Sequence, residues 1–590
     1  MILQALKEYY DRKAVEGLIA KDGWIRGGID FLLELDPKGD IMGISDLREM
    51  NGKKRVSRQM DVPNIGNQAL KHSMSGKDAN LLWDNAGFVF GLGDKGNLRL
   101  QSMIEAIDKW IGETSDVGVS AVRQFLTRGL KDRLHFNPAL NHSEFGELLQ
   151  EGNAKISFSV PQTGYRVVFN SPVVDNALGS HEEGAETVFG TCLVTGGNNV
   201  PIQVTHPVTK GVWGAQSAGA CIVSFNKDAF NSYGKTQSIN APVSKVTASQ
   251  YGKALNVLLD SPRQCIHIGD ASTVFWSEKQ SIFESDFSLF FKEPEKDNPD
   301  AGTHKVKALF ESVHSGTYLT DDGSDRFYIL GLAPNAARIA IRFWQVGTIS
   351  EFASRIRQYF DDFAIVKPPK ELQYYSIWRI LVNIATQDKS ENIPPNLAGD
   401  FMRSILDGTP YPATLLQAVL RRIRSDTENR VKPIRAALIK AYLNRYYRFY
   451  PDRNCKEVNM ELDVNQPSVG YQLGRLFATL EKIQEEANPG INATIRERFY
   501  GAACATPVTV YANLLRLKNH HLAKHEYKGR VIEFERLLGE IMGNLSDFPA
   551  HLDLHEQGRF AIGYYHQRQA FFSTKNNKQN NSEMGEEEKQ

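Results

Sequence analysis

Cysteine is scarce in this 590-residue chain and scattered where it occurs: Cys192, Cys221, Cys265, Cys455 and Cys504, with no Cys-x-x-Cys pair. That spacing excludes a thiolate zinc knuckle and a disulfide-stapled secreted fold, and an odd number of separated thiols suits a reducing cytoplasm. Long hydrophobic runs are missing as well. No segment reaches the roughly 20 apolar residues that cross a bilayer, and Met1–Tyr10 carries no signal-peptide pattern, so a cytoplasmic location with no membrane partner is expected. Charge of one sign is also lacking, because 69 Lys and Arg balance 69 Asp and Glu. A neutral total says nothing global about a polyanion partner, and any basic surface has to be local.

Catalytic constellations are equally sparse. Gly214-Ala215-Gln216-Ser217-Ala218-Gly219 is superficially a nucleophile elbow, but the first glycine stands one residue too far from Ser217. Gly234-Lys235-Thr236 resembles the end of a phosphate-binding loop that needs glycine at 229, where the chain has Ala229. His551 and His555 have the i,i+4 spacing of zinc ligands without a Glu-x-x-His partner. Cys192 and His206 make an imaginable pair, with a buried cysteine as the plainer reading. Asp321-Asp322 and Asp361-Asp362 are isolated pairs, not the clustered carboxylates of a two-metal nuclease. No catalytic residue, metal or cofactor is expected. A hydrolase built on Ser217 or Cys192 stays open as an alternative, as does an architectural subunit without nucleic-acid contact.

What is present divides the chain by period. Met1–Ala20 has helical spacing with Leu3, Leu6, Tyr9, Tyr10 and Leu18 as core. GIDFLLEL and DIMGIS alternate as strands around Asp36-Pro37-Lys38-Gly39-Asp40, a hairpin signal. Asn64–Asp78 is polar, with Asn64, Asn67, Lys71 and Ser73; it suits either an ordinary solvated loop or one that reaches into a DNA groove. Ile156–Asn170 alternates again. Cys192–Gly219 is glycine-rich, Cys221–Phe225 (CIVSF) reads as a buried strand, and Ala241–Leu259 as a helix. The polar stretch between them carries Asn226, Lys235 and Asn240, which with Gln216 and Ser217 are amide, hydroxyl and ammonium groups suited to base edges and phosphates. Arg326–Leu332 and Ala340–Val346 read as strands around Ala333-Pro334-Asn335. From Ser350 strand signals vanish and helical patterns run to about Ser573. The expected fold class is α+β: a mixed α/β domain over 1–360, then an all-α C-terminal bundle. Its parts are a basic helical region (361–459), a small bundle (460–574) and a polar, acidic tail (575–590) expected to be disordered.

The helical half is locally basic. Tyr411–Arg448 holds Arg421, Arg422, Arg424, Arg430, Lys432, Arg435, Lys440, Arg445 and Arg448 against Asp426 and Glu428. Further on come Arg496, Arg498, Arg516, Lys518, Lys524, Lys528 and Arg530, with Tyr500, Tyr511, Tyr564 and Tyr565 interleaved. A charge run is often only a solvated helix face. An excess of one sign over two segments favours a polyanion, and basic helices with aromatics suit single-stranded nucleic acid.

Several long segments together resemble one family, the large subunit of the subtype I-C CRISPR surveillance complex (Cascade). They are the opening MILQALKEYY, NLLWDNAGFVFGLG (Asn80–Gly93), the stretch Cys192–Asp260, IGDASTVFW (Ile268–Trp276), LGLAPNAARIAIRFW (Leu330–Trp344) and GYYHQR (Gly563–Arg568). The resemblance implies a non-catalytic subunit that recognises the protospacer-adjacent motif (PAM) in double-stranded DNA and aids duplex opening and R-loop stabilisation. It implies as partners the guide-RNA-bearing backbone and guide-RNA 5′-end subunits, a small subunit, duplex and displaced single-stranded DNA, and a recruited helicase–nuclease. It also implies that the small subunit arises by internal initiation. Lys456-Glu457-Val458 can be encoded AAG-GAG-GUN, a ribosome-binding sequence one codon before Met460, and the helical patterns after Met460 can form a bundle.

Overall fold

The computed structural model describes residues 1–590 apart from 53, 66–76, 181–186, 269–270, 292–310, 312–314, 317–323, 427–429, 453–455 and 588–590. Strands concentrate before residue 349 and helices after it, so the fold is α+β. Two compact units form, Met1–Thr209 with Val223–Val257, and Lys210–Ile222 with Leu258–Gln590.

In the first unit the Ile2–Val15 helix buries Leu6, Tyr9 and Tyr10 on one stripe. Leu18, expected in that core, lies beyond the helix end and is exposed. Phe31–Leu35 is one of the two inner strands of a four-stranded sheet. It pairs antiparallel with Ile41–Asp46 and parallel with Lys155–Ser159, which pairs with Trp83–Asn85. The hairpin closes where Asp36 accepts from the N–H groups of Lys38 (2.9 Å) and Asp40 (2.8 Å), and Gly39 takes φ +81°. A side chain there would meet the Ala121 carbonyl at 2.7 Å, so glycine is demanded twice over. The helices Gly96–Trp110 and Val117–Lys131 supply apolar faces to the same core as Phe31, Phe136 and Phe158. Val168–Asn170, expected to extend strand alternation, is a short 3-10 turn. The helix expected over Ala241–Leu259 runs Lys245–Asp260, with Ser244 Oγ accepting from Thr247 N–H at 3.2 Å.

The second unit opens its sheet as a meander: Cys265–Ile268, Ala271–Ser277, Arg326–Asn335 and Arg338–Thr348, each antiparallel to the next. Cys221–Phe225 does not form the expected buried strand. Cys221 makes one bridge to Arg338, and the rest is irregular and half-buried. Thr348 caps the next helix, Ile349–Phe363, in a reciprocal box with Glu351. The apolar face of the sheet (Phe275, Phe327) continues without interruption into Phe352, Ile356 and the helices beyond. The boundary expected near residue 360 is therefore a change of secondary structure inside one core.

Beyond it, the helices Ala413–Ser425 and Pro433–Phe449 precede Met460. Val469–Ala487, Ile495–Ala505, Tyr511–Ala523, Lys528–Gly543 and Leu554–Glu587 follow it. The last runs helical past residue 575, where a disordered tail was expected. Val469–Ala487 and Leu554–Glu587 cross at near-zero clearance: a Cβ on Gly474 would stand 2.0 Å from the Phe560 carbonyl, and one on Gly563 2.0 Å from that of Tyr471. Among the described residues no helix is long and apolar enough to cross a membrane.

Candidate nucleic-acid interface

The candidate base-reading residues fall on both units. In the second, the 210–222 segment is folded by glycines at positive φ, Gly211, Gly214 and Gly219. Trp213 anchors it, its N–H donating to Ser272 Oγ (2.9 Å) and its ring 4.7 Å from that of His267. A turn closed by Gly219 N–H to the Gln216 carbonyl (2.9 Å) then presents Gln216 and Ser217 to solvent, with no side-chain partner among the described residues. Nothing in these contacts gives Ser217 a general base.

In the first unit, Asn226, Lys235 and Asn240 share one loop. Lys235 is exposed with its ammonium unpaired among the described residues, and Asn226 is exposed. Asn240 does not offer its amide outward as expected. It donates to the carbonyls of Lys235 (3.1 Å) and Gln237 (2.9 Å), pinning the loop, because a short polar side chain next to free carbonyls saturates them first. Asn64 is half-buried and its backbone N–H donates to the Gly23 carbonyl at 2.8 Å. Asn67, Lys71 and Ser73 lie outside the described residues.

Behind that loop sits Cys192, fully buried. Burial pushes its thiol up, but hydrogen bonds from the Thr195 hydroxyl and from the N–H groups of Ser244, Thr195 and Val194 outweigh it and bring it down to about 6. His206 turns Nδ1 to the Tyr251 hydroxyl at 2.5 Å, and burial lowers it to about 4.

The basic residues of the helical part separate into two populations. Arg435, expected on a DNA backbone, is fully buried: it bonds Asp426 (2.6 Å) and the carbonyls of Asn383 (3.0 Å) and Arg430 (3.1 Å). Lys440 and Arg445 are buried likewise, on the Asp362 carbonyl (3.0 Å) and the Ser404 carbonyl (2.9 Å). The correction has a visible cause. Pro433–Phe449 is buried on every side from Ile434 to Arg445 because the helices Ile349–Phe363, Ile377–Ile384, Ala413–Ser425 and Leu554–Glu587 enclose it, so its cations are satisfied inside by Asp426 and backbone carbonyls. Tyr500, Tyr511, Tyr564 and Tyr565, expected as stacking aromatics, are all core residues.

Arg422 is tied to Asp388 (3.1 Å) and Asp426 (3.0 Å), Arg496 to Glu497 (2.7 Å), Lys518 to Glu535 (3.0 Å), Arg516 to Asn513 (3.0 Å) and Arg424 to Gln557. Arg421, Arg498 and Lys524 remain exposed with no ion-pair partner among the described residues. Sequence reasoning missed a basic cleft of about 520 Å³. Arg379, Arg430, Lys432, Arg496 and Arg568 line it, with Glu371 as the lining carboxylate among the described residues. Arg430, Lys432 and Arg496 belong to the basic runs read from the sequence, but only packing joins them to Arg379 and Arg568 in one cleft.

Met460 stands on an exposed connection, its carbonyl accepting from Val366 N–H at 2.8 Å. The bundle after it has its own buried polar network. Arg475 bonds Glu540 (2.8 Å) and Gln567 (3.1 Å), and Glu481 accepts from Tyr564 (2.6 Å) and Arg568 (2.9 Å).

No individually curated protein matches the chain. Residues 6–572 match the family described as CRISPR-associated protein Cas_Csd1. With nearly its whole length covered, the chain belongs to the Csd1 family of CRISPR-associated proteins.

Proposed function

We propose that this chain is the non-catalytic large subunit of a subtype I-C RNA-guided complex, which recognises the protospacer-adjacent motif in duplex DNA. Its partners in this reading are the guide-RNA-bearing backbone and 5′-end subunits, a small subunit, both DNA strands and a separate helicase–nuclease. What carries the reading is membership of a CRISPR-associated family in a chain whose two turns hold out Gln216, Ser217, Asn226 and Lys235 to solvent. Amides and hydroxyls on stiff turns can discriminate base edges, and guide pairing then reads the remaining target, so few such contacts are needed. Arg421, Arg498 and Lys524 would hold phosphates of the opened strands, stabilising an R-loop without reading sequence, whereas in the cleft Lys432, Arg496 and Arg568 are already paired with Asp388, Glu497 and Glu481. The thiol of Cys192 is sealed from solvent and Ser217 has no base beside it among the described residues, which leaves the hydrolase alternative the weaker one. The helices after Met460 are proposed also to be made separately as the small subunit.

The test is binding of the purified complex to motif-bearing and scrambled duplexes. Gln216→Ala should weaken the motif-bearing duplex alone, by about 1–3 kcal/mol if a bidentate contact is lost. Equal weakening of both would make Gln216 a backbone contact, and binding indifferent to salt would support a purely architectural subunit.

A further inference from the structure

The loop that carries Lys235 has at its tip a residue whose conformation no side-chain contact among the described residues rewards. Ser232 and Lys235 face each other across a two-residue turn, with Lys235 N–H donating to the Ser232 carbonyl at 2.9 Å and Ser232 N–H returning to the Lys235 carbonyl at 3.4 Å. Its central residues are Tyr233 at φ +50° and Gly234 at φ +72°. Such a turn asks for Asn-Gly, because asparagine tolerates positive φ and a bulky side chain does not. Left-handed backbone at an ordinary L residue costs about 1–2 kcal/mol. Tyr233 recovers none of it by packing: it is 99% exposed, and no ring, cation or hydrogen-bond contact holds its side chain among the described residues.

The strain is also held in place. Asn240 clamps the Lys235 and Gln237 carbonyls from below, and Phe230 N–H to Lys227 (2.9 Å) and Asn231 N–H to Asp228 (2.9 Å) stiffen the approach. A rigid stalk thus projects one aromatic ring into solvent, at a position where the local backbone disfavours it. Costly conformations that persist without internal compensation mark functional positions. The surrounding chemistry indicates the occupant. Lys227 and Lys235 lie on either side of Tyr233 in sequence, both exposed and unpaired among the described residues, and Asp228 is the one carboxylate between Ser224 and Ala241. An exposed aromatic ring on a loop whose charge is mostly basic suits a base and its phosphates.

We propose that Tyr233 is a stacking finger that lays its ring against a base exposed where the duplex opens. The inference rests on this loop facing DNA, and it assigns to the tip a role separate from reading. Every base has a π face, so the contact would favour unpaired bases over paired ones without regard to sequence.

The test uses the full chain with a fully paired duplex and a Y-forked duplex of the same sequence. Wild type should prefer the fork. Tyr233→Ala and Tyr233→Asn should lose roughly 5- to 150-fold affinity for the fork while the paired duplex and the salt dependence stay unchanged, and Tyr233→Trp should retain the preference. Tyr233→Asn keeps the test clean, because asparagine suits the turn and the variant should melt no lower than wild type. The finger is overturned if Tyr233→Asn keeps wild-type fork affinity, if fork and duplex weaken together, or if DNA binding is untouched while the purified complex loses a protein subunit. A wild-type chain that binds neither DNA in a salt-dependent way would instead overturn the DNA-facing reading beneath it.

Discussion

Replacing Gly474 by alanine tests the helix crossing on which the C-terminal bundle depends. In an open helix the change is favourable, worth about 0.5–1 kcal/mol, because glycine loses the most backbone freedom on folding. At Gly474 the new Cβ would stand 2.0 Å from the Phe560 carbonyl oxygen and 2.7 Å from the Tyr564 nitrogen. Both are backbone atoms, so no rotamer change relieves the clash and the two helices have to separate. Separation by about 1 Å loosens Leu473, Leu476 and Phe477 against Phe560 and Tyr564, and overpacking of that kind costs typically about 1–3 kcal/mol or more. With the helix gain subtracted, a net loss of about 0.5–2 kcal/mol is expected. Gly501→Ala is the internal control. It sits in the Ile495–Ala505 helix with nothing within 4 Å of the added carbon, so it should stabilise by up to about 1 kcal/mol. Hydrogen exchange of peptides covering 470–487 and 556–572 reads the effect locally, which matters in a chain of two units. Protection should fall in both peptides for Gly474→Ala and hold or rise for Gly501→Ala. If Gly474→Ala protects as well as Gly501→Ala, the crossing is looser than described and the reasoning fails.

Four further outcomes are expected. Arg435→Ala should cost about 3–5 kcal/mol, since it strips a buried cation from Asp426 and two carbonyls. Arg421→Glu should leave the melting temperature alone and reduce the salt slope of DNA binding by about one unit; the reverse pattern would mean the two populations of arginine are misassigned. Burial holds His206 at about 4 and His566 at about 3, both below the unfolded value of about 6.5, so the unfolded chain takes up more protons as pH falls. Their stabilisation is complete above pH 6.5 and is lost as pH falls through 4, on the order of 3 kcal/mol for His206. His206→Gln should flatten the thermal melting profile between pH 7 and 5, and an unchanged slope would count against it. Recoding Lys456–Val458 synonymously and replacing Met460 by Leu should abolish a short C-terminal product in the purified complex. Persistence of that product at the same size would refute internal initiation.

By itself the sequence determined what local chemistry can decide. Pro37-Lys38-Gly39 between alternating runs sets a hairpin, because the turn needs a positive φ that glycine supplies. The strands around Pro334, the helix from Lys245 and the five helices after Met460 follow from the periodicity of their apolar residues, although Gly470–Glu481 and Gly558–Gln567 are buried on every side. The family was legible in the same way, through long ordered segments.

The tertiary structure alone decided which charges and rings are available. Arg421 and Arg435 look alike in a basic run, yet one faces solvent and the other is sealed against Asp426, because burial depends on which helix covers the residue. Tyr500 and Tyr564 became core for that reason, whereas Tyr233, in sequence only one residue of the polar stretch before Ala241, stands fully exposed at a positive φ. The basic cleft gathers residues from 371 to 568 through packing that no local pattern encodes. The continuity of the sheet with the helices past residue 360 likewise reflects a shared apolar face, which a change of period cannot reveal.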